Sequence, residues 1–278
     1  LEHMTSFRYL TQLDCIVKNS DRDQHRIDLP TNLKSLQING HTIDEKVFGL
    51  TQLERLKLFA AKFEEIDLLA NCKYLTRLEL GVMHKSSLLK LTCELPQVRN
   101  LSLRYVTSEA DAVLSKFANV TSLKIRGVFK LPPNPEQLKR LSASSIKYST
   151  DDIVSLSKLT NLRSLSLHGT FVTILSDEIH RLPTTIRELS LEESNASNEN
   201  ILPHLTTLRN LERVTLFDVA PLVGCDPEVE VKNLLKSMPQ LTRVCFQGIF
   251  GILMSFQKHK AWFDFLKQNK IYADVVFE

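Results

Sequence analysis

Apolar residues occupy the first, fourth and sixth positions of a short stretch that returns along most of the chain. The third copy reads Leu53-Glu-Arg-Leu56-Lys-Leu58, and successive copies begin 18 to 30 residues apart. Within a copy, apolar and polar positions alternate, which is typical of a β-strand that buries one face. Eleven copies begin at Leu10, Leu33, Leu53, Leu75, Val98, Val120, Leu138, Leu162, Ile186, Leu211 and Leu241.

The segments between copies are mostly predicted to be short helices. Ser108–Phe117 begins with Ser108 as its capping residue, and Thr150–Leu156 is a second predicted helix. Asp226–Met238 has an N-cap followed by proline at the first helical position. The connector 131–135 is expected to be extended, because its prolines supply no backbone donors. An apolar residue also precedes most copies by three or four positions, as at Leu50, Leu95, Phe117, Leu159, Leu182, Leu208 and Met238.

One strand and one short helix cannot bury their apolar faces alone, so neighbouring copies must stack. The pattern from Leu10 to Phe246 resembles the leucine-rich repeat family. That resemblance implies an α/β fold, a curved solenoid with a parallel sheet on its concave side and short helices on its convex side. The family's usual Asn or Cys, three residues beyond the last leucine of the strand motif, is missing. We therefore expect the turns to satisfy their backbone groups by other means.

The repeat also sets the expected domain boundaries. Residues 1–4 look like a cloning remnant, residues 5–249 form the solenoid of about eleven repeats, and residues 250–278 form a C-terminal capping segment. The aromatic and apolar composition of that last segment suits the covering of a final apolar rung. Because the first copy begins almost at the start of the chain, we expect a fragment cut from a longer protein.

Composition excludes some classes of function. Among 278 residues, 35 basic and 32 acidic ones give a net charge of +3, so a polyanionic partner has little support from charge alone. No apolar run is long enough to span a membrane. The five cysteines are odd in number and contain no C-x-x-C, which disfavours metal and redox functions and predicts an intracellular, cytoplasmic or nuclear location.

Motifs of catalysis are missing from the sequence. There is no H-E-x-x-H, no glycine-rich phosphate loop and no G-x-S-x-G. His168 should share the sheet face with Ser164 and Ser166, but the sequence places no acid to orient the imidazole. We therefore predict a protein that is not an enzyme and has no cofactor, metal or small-molecule substrate.

The third, fifth and seventh positions of each copy should point out of the concave sheet. They are basic with some aromatic residues through copies three to seven, rich in serine next, and acidic at copy nine. Arginine and tyrosine are over-represented among residues that dominate interface energies. The candidate partner-binding residues are Arg55, Lys57, Phe59, Arg77, Arg104, Tyr105, Lys124, Arg126, Arg140, His168 and Phe217.

The favoured function is a non-catalytic module that binds a protein partner, with an acidic segment, on the concave face. It would be the recognition part of a larger protein or complex, since the repeats resemble those of F-box-like adaptors and of some bacterial effectors. The alternative is binding of a nucleic acid or a phospho-ligand through the basic stripe. A third interpretation is that exposed strand positions are polar only because they face water.

Overall fold

In the computed structural model, the chain divides into two compact units, Leu1–Pro135 and Glu136–Glu278. Each unit contains parallel β-strands that are joined by short helices and turns. The structure describes residues 9–16, 29–42, 49–62, 66–81, 90–106, 110–145, 150–169, 178–192, 201–217, 227–247, 264, 265, 267–269 and 274–277.

The first unit contains six strands that pair in chain order, all parallel. A 3-10 helix, Ile66–Asn71, precedes the fourth strand, and helix α1, Ala110–Leu114, precedes the sixth. The strands are β1 (Gln12–Ile16), β2 (Ser35–Thr42), β3 (Arg55–Lys62), β4 (Arg77–Leu80), β5 (Asn100–Val106) and β6 (Ser122–Gly127).

The second unit repeats this arrangement with β7 (Arg140–Ser145), β8 (Ser164–Gly169), β9 (Glu188–Glu192), β10 (Arg213–Phe217), β11 (Arg243–Gln247) and β12 (Asp274–Phe277). These strands also pair in parallel and in chain order. Helices α2 (Thr150–Leu156) and α3 (Pro227–Ser237) precede β8 and β11, and 3-10 helices at Pro135–Gln137, Ile179–Arg181 and Leu202–Thr207 precede β7, β9 and β10.

The strands follow the register of the repeat. Each strand from β1 to β11 begins at the third position of a copy, and equal positions of neighbouring copies face each other, as Leu56 faces both Leu36 and Leu78. From the second copy onward, the first and fourth positions are buried, as are the apolar residues that precede the copies. The predicted strands and the direction of their apolar face are therefore confirmed. Burial of each such side chain stabilises the fold by about 1.5–3 kcal/mol.

The connectors are helical where the sequence predicts it, but several are tighter than an α-helix. Thr150–Leu156 is an α-helix as predicted, whereas Ile66–Asn71 and Leu202–Thr207 are 3-10 helices. The predicted capping residues Ser108 and Asp226 lie outside the described residues. The proline-rich connector is non-helical up to Asn134, and a 3-10 turn begins at Pro135. Steps of about twenty residues leave little length for regular α-helices.

A different set of hydrogen bonds replaces the missing asparagine ladder. In several copies the residue just before the first apolar position has a polar side chain that donates to a backbone carbonyl of the preceding copy. Backbone groups that would otherwise lack partners at the turns are thereby satisfied. Three equivalent bonds run from Nδ2 of Asn119 to Pro96 (2.9 Å), of Asn161 to Glu136 (2.9 Å) and of Asn210 to Thr184 (2.8 Å).

Asp67 joins two neighbouring repeats on the side of the connectors. Its carboxylate accepts the backbone N–H of Thr92 at 2.6 Å, the Thr92 hydroxyl at 2.5 Å and the backbone N–H of Cys93 at 3.0 Å. The Thr92 hydroxyl, followed by the Cys93 N–H, lowers the pKa of Asp67 from its ordinary 3.8 to about 2. Stability from this carboxylate is therefore complete above the pKa of the unfolded chain and is lost as the pH falls through about 2.

Replacing Asp67 by Asn is expected to lower the free energy of unfolding by about 1–2 kcal/mol at neutral pH, because charge-assisted hydrogen bonds are lost. The difference from the wild type should shrink as the pH falls from 3.8 to about 2. Urea denaturation across that range measures it. Glu94→Gln is the control, because the Glu94 carboxyl lies on the neighbouring segment and is exposed. This substitution should change the free energy of unfolding little at any pH in that range. If the difference in free energy of unfolding between Asp67→Asn and the wild type does not depend on pH, the Asp67 carboxylate does not stabilise the fold through its charge.

The end of the chain lies against the last repeats. Strand β12 pairs with β11, and the ring of Phe265 lies 5.2 Å from the ammonium of Lys232 and 5.6 Å from that of Lys236, both on α3. Strand β12 spans Asp274–Phe277, within the segment predicted to cap the repeats. The capping role of residues 250–278 stays a prediction.

Candidate functional site

A groove of about 380 Å³ lies on the exposed face of the sheet in the first unit, above β1–β6. Most of its lining comes from the third and fifth positions of the copies, where alternation turns side chains away from the core. The lining is completed by the fourth-position residues Leu36, Leu56, Leu78 and Leu101. Four cations and two carboxylates line it, which gives a net charge of +2. Those charged residues are Arg55, Lys57, Arg77 and Lys124, together with Asp14 and Glu79.

Glu79 forms ion pairs with two cations at this groove. Its side chain is only 17% exposed, and its carboxylate lies 2.7 Å from Arg104 Nη2 and 3.9 Å from Lys57 Nζ. The guanidinium of Arg104 also lies 4.9 Å above the ring of Phe59. A Cβ at position 81 would overlap that ring, so Gly81 leaves the space in which Phe59 lies. Lys57 and Arg104 are therefore already engaged within the protein.

Three predicted cations keep their charge unneutralised. Within the described residues, Arg55, Arg77 and Lys124 form no ion pair, and all three are exposed. Ser102 lies between Glu79 and Lys124 in the register of the sheet. Its hydroxyl oxygen is buried without a hydrogen-bond partner, and the residue lines the groove. These groups form the part of the groove that is suited to an anion.

The remaining candidates of the first unit lie at the ends of β5 and β6. Arg126 is exposed and takes part in a further interaction within the protein. Arg104 and Val106 face the consecutive residues Arg126 and Gly127, so Tyr105 is the extra residue of a bulge. The Tyr105 side chain lies outside the described part of the structure.

The candidates of the second unit lie on separate strands of its sheet. Arg140 is on β7, His168 is on β8 and Phe217 is on β10. Arg140 is exposed and already has an interaction within the protein, whereas Phe217 is half-buried. In the acidic spot predicted at copy nine, Glu188 forms an ion pair with Arg213, and Glu192 lies within hydrogen-bond distance of His168.

The prediction that no acid orients His168 is wrong. His168 faces Glu192 in the register of β8 and β9, and its Nδ1 lies 2.5 Å from Glu192 Oε2. Ser166 Oγ lies 2.8 Å from His168 Nε2. A serine, a histidine and a glutamate are thus joined by hydrogen bonds on the exposed face. The spacing of His168 and Glu192 in the sequence could have predicted this contact, because the two residues occupy equal positions of successive copies.

The predicted exposure of Cys245 is also wrong. This fifth-position residue is expected to point outward, yet it is only 4% exposed. It lies between Thr215 of β10 and Val276 of β12. The C-terminal strand, which lies outside the repeat pattern, adds a neighbour that the pattern does not contain.

Cys72, Cys93 and Cys245 are free thiols in the described part of the chain. Burial raises the pKa of the Cys72 thiol to about 11, and burial also raises the pKa of Cys93. Both are therefore protonated and poorly nucleophilic at neutral pH. Among the described residues, no helix combines the length and apolar character needed to cross a membrane.

No family model and no curated protein matches the sequence. Among solved structures, the leucine-rich repeat-containing protein LegL7 from Legionella pneumophila has a TM-score of 0.52 and 15% identity, over 95% of this chain and 89% of that one. An internalin (inlF) from Listeria monocytogenes has a TM-score of 0.44 and 17% identity, over 83% of this chain and 75% of that one. The likeness to LegL7 agrees with the parallel strands that begin at one fixed position of each repeat. The protein therefore has the leucine-rich repeat fold.

Proposed function

We propose that the exposed face of the first unit binds an acidic segment of a partner protein. The observation that carries this proposal is the groove above β1–β6, in which Arg55, Arg77 and Lys124 have no ion pair within the described residues. Cations already matched by a carboxylate add little to binding, whereas unmatched ones attract and orient an anionic partner.

The groove suits an extended segment that crosses the strands. Equal positions of successive copies lie side by side, so a chain laid across the sheet meets one side chain from each strand in turn. Neighbouring strands are about 4.8 Å apart, and a carboxylate on every second residue of an extended peptide recurs about every 7 Å. Acidic side chains along such a peptide therefore reach Arg55, Arg77 and Lys124.

A protein partner is favoured over a nucleic acid by the composition of the groove. Binding of single-stranded nucleic acid usually combines cations with aromatic rings on which the bases stack. None of the described residues that line the groove is aromatic, and Phe59 lies under Arg104 outside the lining. A nucleic acid is therefore the less favoured partner for this groove.

The proposal includes a role as the recognition part of a larger protein or complex. It also includes an intracellular, cytoplasmic or nuclear location. The support for this location is that Cys72, Cys93 and Cys245 are free thiols, which reducing compartments maintain.

The double variant Arg55→Glu with Lys124→Glu is expected to weaken binding of an acidic peptide by about 10- to 100-fold. Two charge-assisted contacts of about 1 kcal/mol each are lost and become repulsive. Fluorescence anisotropy measures the affinity for a labelled peptide of alternating Glu and Ser. The control is Lys73→Glu with Lys90→Glu, which changes the charge equally at exposed positions outside the groove lining.

The same titration separates the alternatives. Equal affinities of the wild type and the groove variant contradict the proposal. An oligothymidylate of the same formal charge that binds more tightly than the peptide, and loses affinity in the groove variant alone, replaces the protein partner by a nucleic acid. Affinity that falls equally in the control variant shows that net charge alone is responsible, and this also overturns the proposed site.

A further inference from the structure

Three side chains in the second unit are arranged as a proton relay. Ser166 Oγ lies 2.8 Å from His168 Nε2, and His168 Nδ1 lies 2.5 Å from Glu192 Oε2. Ser166 and His168 are two residues apart on β8 and therefore project from the same face, while Glu192 is the register partner of His168 on β9. The regular sheet thus fixes the relative positions of all three.

The carboxylate determines where the imidazole carries its proton. An ionised carboxylate only accepts hydrogen bonds, so the Nδ1 of neutral His168 must donate to Glu192. Its Nε2 then has a free lone pair directed at Ser166, and the serine hydroxyl donates to it. This is the arrangement by which a histidine takes up the proton of an attacking serine. We infer that Ser166 is a nucleophile for acyl transfer from activated carboxylic esters.

Neighbouring serines supply donors for the oxyanion of such a reaction. Ser142 and Ser190 are the register partners of Ser166 on β7 and β9, one on each side, and both are half-buried. The strand spacing of about 4.8 Å places their hydroxyls beside an acyl group bound to Ser166. Strand backbone N–H groups are used in the sheet ladder, so hydroxyl side chains are the donors available, and serine can fill this role.

The reaction has two steps, acylation of Ser166 and hydrolysis of the acyl-serine. Ser166 Oγ bonds to the acyl carbon, its proton moves to His168 Nε2, and the resulting oxyanion is bound by the neighbouring hydroxyls. The bond from carbon to the leaving oxygen then breaks, and the leaving group takes the proton from Nε2. Water repeats the sequence on the acyl-serine and releases the acid. Because the open face provides no walls to position a poor leaving group, the substrates are esters of acidic alcohols such as phenols.

A fluorophosphonate probe tests the nucleophile directly, because it bonds covalently to activated serines. We expect the wild-type protein to be labelled at Ser166 about 100-fold faster than a Ser166→Ala variant is labelled at any site. Ser164→Ala is the matched control, since Ser164 lies on the same strand and face but takes no part in the hydrogen bonds of Ser166, His168 and Glu192, and its labelling should equal that of the wild type. Labelling no faster than in Ser166→Ala, or labelling centred on other serines, overturns the inference.

Glu192 acts through His168 and is therefore a positioning residue. Glu192→Gln is expected to slow labelling by about 10-fold or more, because the amide no longer fixes the tautomer of the imidazole. Glu192→Asp, which keeps the charge, should restore a large part of the rate. Thermal unfolding curves establish that all variants are folded. A Glu192→Gln variant that labels as fast as the wild type, or as fast as Glu192→Asp, overturns the relay. Neither result bears on the groove proposed in the first unit.

Discussion

Replacing Phe117 by alanine is expected to lower the free energy of unfolding by about 3–5 kcal/mol. Phe117 is fully buried and is the largest such side chain in the described part of the chain. It follows helix α1, and its backbone N–H donates to Leu114 at 3.0 Å. Because the ring is fully buried, its removal leaves a cavity in the core that the surrounding side chains fill only in part.

Urea denaturation followed by circular dichroism measures this loss. Phe117→Leu keeps most of the volume and should cost less than about 1.5 kcal/mol. Tyr74→Ala is the matched control, because this aromatic residue lies just before a strand but is 59% exposed. It should change the free energy of unfolding by less than about 0.5 kcal/mol. A loss below about 1 kcal/mol for Phe117→Ala shows that the ring is not part of a continuous core.

The repeat predicts the strands because the alternation of apolar and polar residues is present in the sequence of every copy, and stacked neighbours then bury the same face of each strand. Leu56 and Leu58 are buried, and so are their described equivalents in the other copies from the second onward. The repeat predicts the connectors less well than the strands, because a step of about twenty residues can contain an α-helix, a 3-10 helix or an extended segment. Thr150–Leu156 and Ile66–Asn71 show two of these outcomes at equivalent places.

The candidate site is harder to predict because charges are balanced between copies, not within them. Each copy taken separately predicts that Lys57 and Arg104 are free cations, yet both form an ion pair with Glu79 on the intervening strand. His168 likewise receives its acid from the next copy. Equal positions of neighbouring copies are in contact across the sheet, so their spacing in the sequence already contains this information. The ion pair of Arg104 with Glu79 joins positions that do not face each other in the register, so its prediction requires the side-chain geometry.

Glu79→Gln is expected to change stability and binding in opposite directions. The free energy of unfolding should fall by about 1–3 kcal/mol, because the charge-assisted bond to Arg104 is lost in a site where Glu79 is 17% exposed. Affinity for an acidic peptide should rise by about 10-fold, because Lys57 and Arg104 are released to face the groove. A purely structural role for Glu79 predicts only the first change.

Glu54→Gln is the matched control for this prediction. Glu54 pairs with Lys34 at 3.0 Å, but its side chain is 47% exposed, and exposed ion pairs contribute about 0–1 kcal/mol. Urea denaturation and peptide anisotropy on both variants separate the two effects. If Glu79→Gln loses stability without gaining affinity, the groove does not bind anions, and the proposed function fails while the structural account of Glu79 stands. If it gains affinity without losing stability, the ion pair is not part of the folded framework. Only the joint result fits a carboxylate that holds two cations in place and competes with the partner for them.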